Sequence, residues 1–136
     1  MTELGVGRPT KRRAGSAVGG LPVADSRPVL TDAGVLGSRC TECRYPAAQQ
    51  GLPWCPVCYS PVEPATFGLS GSAWSSTVVA IPVGKRRPPF GLAYLDLDAG
   101  PRVLVHLDEP VLLALGERLE ICGVDDGDLI AKKEEA

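Results

Sequence analysis

Aromatic side chains are scarce in this sequence: two Trp, three Tyr and two Phe among 136 residues. That leaves little material for a platform on which successive nucleobases stack. A basic excess is also missing. The net charge is −2, whereas a dedicated nucleic-acid binder is usually basic over its domain. No apolar run approaches the ~20 residues of a membrane-spanning helix. The N-terminus carries no apolar signal core, so a reducing cytoplasm is the expected location. Histidine occurs once, at His106. There is no Gly-rich phosphate loop, no nucleophile elbow, no internal repeat and no second Cys/His cluster.

What is abundant is Gly and Pro, with 16 and 13 residues. That composition suits many turns and short strands better than a helix bundle. The most informative stretch is Cys40-Thr-Glu-Cys43, eleven residues, then Cys55-Pro-Val-Cys58. Each Cys-x-x-Cys lets two thiolates of one tight turn reach the same ion. Two such turns supply the four sulfurs of a closed tetrahedral zinc site, at Zn–S distances of about 2.3 Å. A closed site leaves no position for water or substrate, so the zinc it predicts is structural. The rival readings are two disulfides, which need an oxidising compartment, and a redox motif, which comes singly near a βαβ pattern. Zinc knuckles often carry Gly just after the second Cys, where φ tends to be positive. Here Arg44 and Tyr59 stand there, so strained turns are expected.

The rest of the chain divides by pattern. Residues 1–20 have no hydrophobic periodicity and carry Arg8, Lys11, Arg12 and Arg13, which reads as a solvated tail or a basic arm. Residues 21–34 form an extended or docking segment, in which Pro22 and Pro28 preclude a long helix. The ribbon spans 35–64. A β-rich module follows over 65–132, and 133–136 is a charged tail. Strands are expected at 72–81, which is rich in β-branched residues, and at 90–97 and 102–107. In the last of these, Val103, Val105 and Leu107 alternate with Arg102, Leu104 and His106, so one face is buried. A helical turn is expected over 110–115. A hairpin over 118–124 and 128–131 turns at Asp125-Asp126-Gly127, where positive φ is tolerated. The fold class is therefore mainly β: an N-terminal rubredoxin-like zinc ribbon followed by a small five-stranded OB-fold barrel.

The order of these motifs resembles the zinc-ribbon plus OB-fold acyl-CoA-associated proteins, filed as domain of unknown function thirty-five. The run begins at Leu36-Gly-Ser-Arg-Cys40 and passes through the four cysteines. It continues with Leu69-Ser-Gly71-Ser-Ala-Trp74-Ser-Ser-Thr77 and Pro88-Pro-Phe-Gly-Leu-Ala-Tyr-Leu-Asp-Leu-Asp-Ala-Gly100, and closes with the strand carrying Gly116 to Gly123. Ala73 departs from the pattern, since a second Gly is frequent there. The resemblance implies an accessory subunit of a thiolase-like enzyme that helps hold an acyl-CoA while its partner does the chemistry. It implies a hetero-oligomer; the segment 21–36 with the ribbon and one barrel face is the expected docking surface, the other reading of that segment being that it packs on the ribbon.

In that setting Lys85, Arg86 and Arg87, in the loop between the first two barrel strands, can face the phosphates of CoA, or can be a solvated loop tip. Trp74 and Phe90 can stack on adenine, or pack in the core or seam. His106 offers a pKa suited to a general base but has no acid partner or nucleophile evident in sequence. Cys122, the odd cysteine, reads as a small buried or half-buried hydrophobe. Asp125, Asp126 and Asp128 lack the full calcium-loop pattern and read as turn residues. No catalytic residue is identified, so no turnover is expected of the chain alone. The alternative from another class is a single-stranded nucleic-acid-binding zinc-ribbon/OB protein.

Overall fold

A computed structural model describes residues 25–134. The N-terminal basic stretch, with Leu21 and Val23, lies outside them. Among these described residues nine strands are present: β1 (Val29–Thr31), β2 (Gly34–Cys40), β3 (Pro46–Ala47), β4 (Val62–Phe67), β5 (Ser70–Val79), β6 (Phe90–Leu97), β7 (Arg102–Leu107), β8 (Arg118–Asp125) and β9 (Asp128–Lys133). Among the described residues no helix is long and apolar enough to cross a membrane.

β2 is the spine of the first module. One edge pairs antiparallel with β1 and then β3, and the other pairs with β4 along its length, from Val35↔Phe67 to Cys40↔Val62. Close approach explains two glycines here. A Cβ at Gly37 would stand 2.1 Å from the carbonyl oxygen of Ala47, and one at Gly34 would stand 2.1 Å from that of Phe67. The buried hydroxyl of Ser38 donates to the carbonyl of Gln49 at 2.7 Å, so no polar group is stranded.

The second module is a closed five-stranded barrel in the order β5-β6-β7-β9-β8. All neighbours are antiparallel except β7 and β9, and β5 closes the barrel onto β8. This is the OB-fold arrangement expected of the sequence. Odd-numbered positions of β6 and β7 (Ala93, Leu95, Leu97, Val103, Val105) point inward, with Leu119, Ile121, Leu129 and Ala131 from the last hairpin. Even-numbered positions of β6 and β7 form the outer face. Asp126 and Gly127 both have positive φ (53° and 86°), as the tight hairpin turn requires.

The two modules share one core, because Val35 and Phe67 of the ribbon sheet belong to the barrel's buried cluster. Arg39 reinforces the seam. Its guanidinium lies over the Phe67 ring at 5.3 Å and donates to the carbonyl of Ala99 in the β6–β7 turn at 2.7 Å.

The helical turn expected over 110–115 is absent: the stretch between β7 and β8 has no regular structure. Six residues are too few to offset helix nucleation. Their polar groups find barrel partners instead. The Leu113 N–H donates to Ser76 Oγ at 2.8 Å, and the Gly116 N–H donates to the Ala73 carbonyl at 2.8 Å. The first barrel strand runs over Ser70–Val79 rather than 72–81, and β9 extends to Lys133, paired with Leu119. Of the segment read as a docking element, Leu30 and Val35 pack inward and Val29 stays exposed.

A four-sulfur metal centre and a loop-covered groove

The Cys40–Cys43 turn leaves β2, and the Cys55–Cys58 turn precedes β4. Because β2 and β4 are paired up to Cys40↔Val62, the two turns are brought face to face. The four sulfurs all lie within 4.8 Å of one another. Two pairs that cross between the turns are close, Cys40–Cys58 at 3.4 Å and Cys43–Cys55 at 3.6 Å. An S–S bond is about 2.05 Å long, so these are separate thiols. The edge of a tetrahedron with Zn–S of about 2.3 Å is roughly 3.8 Å. The donor set thus fits a closed four-thiolate metal site.

The backbone prepares the site for negative charge. The N–H groups of Glu42 and Cys43 point at the Cys40 sulfur at 3.3 Å, and those of Val57 and Cys58 point at Cys55 at 3.3 and 3.5 Å. Hydrogen bonds from Ser60 and from Cys40 lower the Cys58 thiol to about 6. Cys43 receives a hydrogen bond from the Tyr45 backbone, yet burial and the three neighbouring sulfurs push it up to about 12. Four sulfurs cannot all be anionic without a cation among them, and a metal dication supplies that charge. Arg44 and Tyr59 both adopt φ of 65°, at the two positions where Gly was missing. Each turn holds its bulky residue in the left-handed region; Tyr59 is tied by its N–H to the Cys55 carbonyl at 2.9 Å.

On the barrel, residues 80–89 arch over the outer face of β6 and β7, and the β8–β9 turn rises opposite. Between them lies a groove of about 1030 Å³. OB barrels bind ligands at this place, between the first loop, the last hairpin turn and the face of their second and third strands. Lys85, Arg86, Arg87 and Phe90 all line it, with Leu92, Leu104 and His106 as floor. The three cations differ. Lys85 and Arg87 are exposed and make no ion pair among the described residues. Arg86 is half-buried and turned inward. It donates to Asp128 Oδ2 at 2.9 Å and to the Asp125 carbonyl at 3.3 Å, pinning the loop to the hairpin turn. Asp128 also accepts from Arg27 at 3.2 Å. Burial pushes the Asp128 carboxyl up, but the hydrogen bonds from Arg86 and Arg27 outweigh it and hold it below its usual value.

His106 stacks on Phe90, with ring centroids 5.9 Å apart and planes at 23°. Its Nε2 is 3.8 Å from Asp128. Burial and the nearby Arg86 lower its pKa, against the opposing pull of Asp128 and Asp125, so the ring is a neutral stacking surface at pH 7.

Trp74 is elsewhere. Next to the buried Ala73 it faces out by plain alternation and lies beside Tyr94, away from the groove; the register of β5 on β6 slips at this residue, between Ala73 and Ser75. Cys122 is exposed rather than buried or half-buried. It sits where the β8–β9 register slips between Ile121 and Gly123; Ile121 takes the inward position and Cys122 faces out. Asp128 and Leu92 were not singled out from the sequence as groove residues. The period-2 pattern of β7 put His106 and Leu104 on one face, but the pairing Leu92↔His106 depends on a register no local signal encodes.

No family model matches the chain, and no curated protein matches it significantly. A solved structure, the "Ltp2-ChsH2(DUF35) aldolase", superposes with a TM-score of 0.58 over 74% of this chain and 84% of that one, at 18% identity. At that identity the likeness speaks for the fold. The chain shares the ribbon-plus-barrel fold of a DUF35 aldolase structure, the fold that the sequence resemblance implied.

Proposed function

We propose that this chain is an accessory subunit of a thiolase-like enzyme acting on acyl-CoA thioesters, with the acyl chemistry done by the partner. The carrying observation is the two-module likeness to a DUF35 aldolase, which includes both the ribbon and the barrel. Zinc in the Cys40, Cys43, Cys55, Cys58 site holds the ribbon, and its four-sulfur set leaves no open position for a Lewis acid. The loop groove receives the CoA end of the substrate. Lys85 and Arg87 meet its phosphates, the Phe90–His106 stack meets its adenine, and Arg86 positions the loop. Trp74 takes no part in this groove. The five unpaired cysteines suit a reducing compartment.

The single-stranded nucleic-acid reading would use the same groove, since OB barrels place such ligands there. The wall formed by Asp125, Asp126 and Asp128 opposes a polyanion, and Arg86 is already neutralised by it. Calorimetry with acetyl-CoA and with acetyl-pantetheine, beside a gel shift on single-stranded DNA, separates the two. Affinity for the CoA ester that falls when the phosphates are removed, with no shift of DNA, supports the proposal. The reverse pattern overturns it. Alone the chain should not turn over acyl-CoA substrates; mixed with its thiolase-like partner it should restore or raise activity.

A further inference from the structure

The outer barrel face beside the groove carries large apolar side chains that the fold itself leaves uncovered. Trp74, Tyr94 and Leu104 are 48%, 45% and 46% exposed. They are neighbours: Tyr94 pairs across strands with Leu104, and the Trp74 ring meets Tyr94 edge-on at 6.1 Å. Resting on the accessory-subunit reading above, we propose that this face docks the catalytic partner and that the docked partner walls the open side of the loop groove.

Three observations select a protein as occupant. First, the face is electrically closed. Its cations are paired: Arg102 donates to both oxygens of Asp96 at 2.6 and 3.1 Å, while its guanidinium lies 3.8 Å over the Trp74 ring, and Arg118 at the edge donates to Asp98 at 2.9 Å. A nucleic-acid backbone would need unpaired cations beside the aromatic rings; an apolar protein face needs the neutrality found here. Second, the anchor is preorganised. Trp74 is held between Arg102 and Tyr94 on paired strands, so little side-chain freedom remains to be lost on binding. Trp, Tyr and Arg are also the residues that most often dominate binding energy. Third, the patch is continuous with the groove. Leu104 lines the loop groove on one side, and on the other a hollow of about 550 Å³ between barrel and ribbon, which Tyr45 and Arg102 also line. A ligand pocket usually buries 70% or more of its ligand. The loop groove has a floor and two walls from this chain, so a partner seated on Leu104 completes it.

The test uses the full zinc-loaded chain and, as probe, the thiolase-fold protein encoded nearest to it in its genome. Trp54→Phe leaves Trp74 as the sole indole. Adding the partner should shift Trp74 emission to the blue. Tyr94→Ala with Leu104→Ser should weaken association roughly 30-fold or more. Ser75→Arg, which sets an unpaired charge opposite Tyr94 and removes no packing, should weaken it as well. Association with unchanged Trp74 emission, or equal affinity of the folded variants, overturns the docking face and leaves the accessory-subunit reading standing. No association of the wild-type chain overturns both. A Trp74 response to an oligothymidylate, or to the chain's own concentration with dimers in sedimentation, assigns the face to another occupant and overturns the proposal.

Discussion

Replacing Arg86 by Ala should act on the loop, whereas replacing Lys85 and Arg87 together should act on the ligand. Arg86 and Asp128 meet at 2.9 Å with side chains only 22% and 27% exposed. At that distance two charges in an effective dielectric near 20 attract by roughly 6 kcal/mol. Desolvation and side-chain ordering offset most of this, so the net contribution is about 1–2 kcal/mol, above the usual surface pair and near other charge-assisted bonds. Asp128 keeps Arg27 as a partner in the variant, which limits the damage. The melting temperature should fall by roughly 5–10 °C. Hydrogen exchange should rise across residues 80–89, where the only described anchors of the Arg86 side chain are on the β8–β9 hairpin. Lys85→Ala with Arg87→Ala removes two exposed side chains and should leave the melting temperature within about 2 °C. It should weaken acetyl-CoA binding, more at low salt than at high, because exposed charges are screened over a Debye length of about 10 Å at 0.1 M. Scanning calorimetry and titration calorimetry at two salt concentrations give both readouts. If Arg86→Ala melts like the wild type and loses CoA affinity in the same salt-dependent way as the double variant, the assignment of Arg86 as a latch is wrong.

Chelation, or Cys58→Ser, should remove one zinc per chain by atomic absorption and unfold the ribbon, since metal bound only to the native form contributes directly to its stability. A metal-free chain with its ribbon intact would refute this. Gly71→Ala should be poorly tolerated, because its Cβ would stand 2.2 Å from the Asp96 carbonyl oxygen where β5 is paired on both sides. A loss above about 2 kcal/mol in urea unfolding is expected, and wild-type stability would mean the strands can separate without cost. For His106 the folded pKa is depressed, so its contribution is complete above the unfolded value of about 6.5 and declines as the pH falls from there through the folded pKa. Stability should therefore drop as the pH falls below about 6.5, and His106→Gln should flatten that slope. An unchanged slope would show that His106 charges freely in the native state.

The cysteine spacing by itself determined the ribbon, because Cys-x-x-Cys geometry is local: a thiolate pair is set by one turn, and only the meeting of two turns needs the fold. The positive φ at Arg44 and Tyr59 was legible for the same reason. So were the strands of β6 and β7, whose alternation Phe90–Leu97 and Arg102–Leu107 is a period-2 signal, and the turn at Asp126-Gly127. Tertiary structure decided the rest. The expected helical turn at 110–115 lost to hydrogen bonds that the Leu113 and Gly116 N–H groups donate to Ser76 and Ala73, forty residues or so away in sequence. Adjacent cations Lys85, Arg86 and Arg87 look alike in sequence, yet only Arg86 turns inward, because Asp128 arrives beneath the loop through barrel closure. Trp74 and Cys122 face outward by plain alternation from the buried Ala73 and Ile121; what the register slips in β5 and β8 decided is the cross-strand partner that follows, Tyr94 opposite Ser75 and Ile130 opposite Gly123. Register is a long-range property: one extra residue in a strand exchanges its faces, and the pairing that settles it is written in the partner strand rather than in the residues themselves.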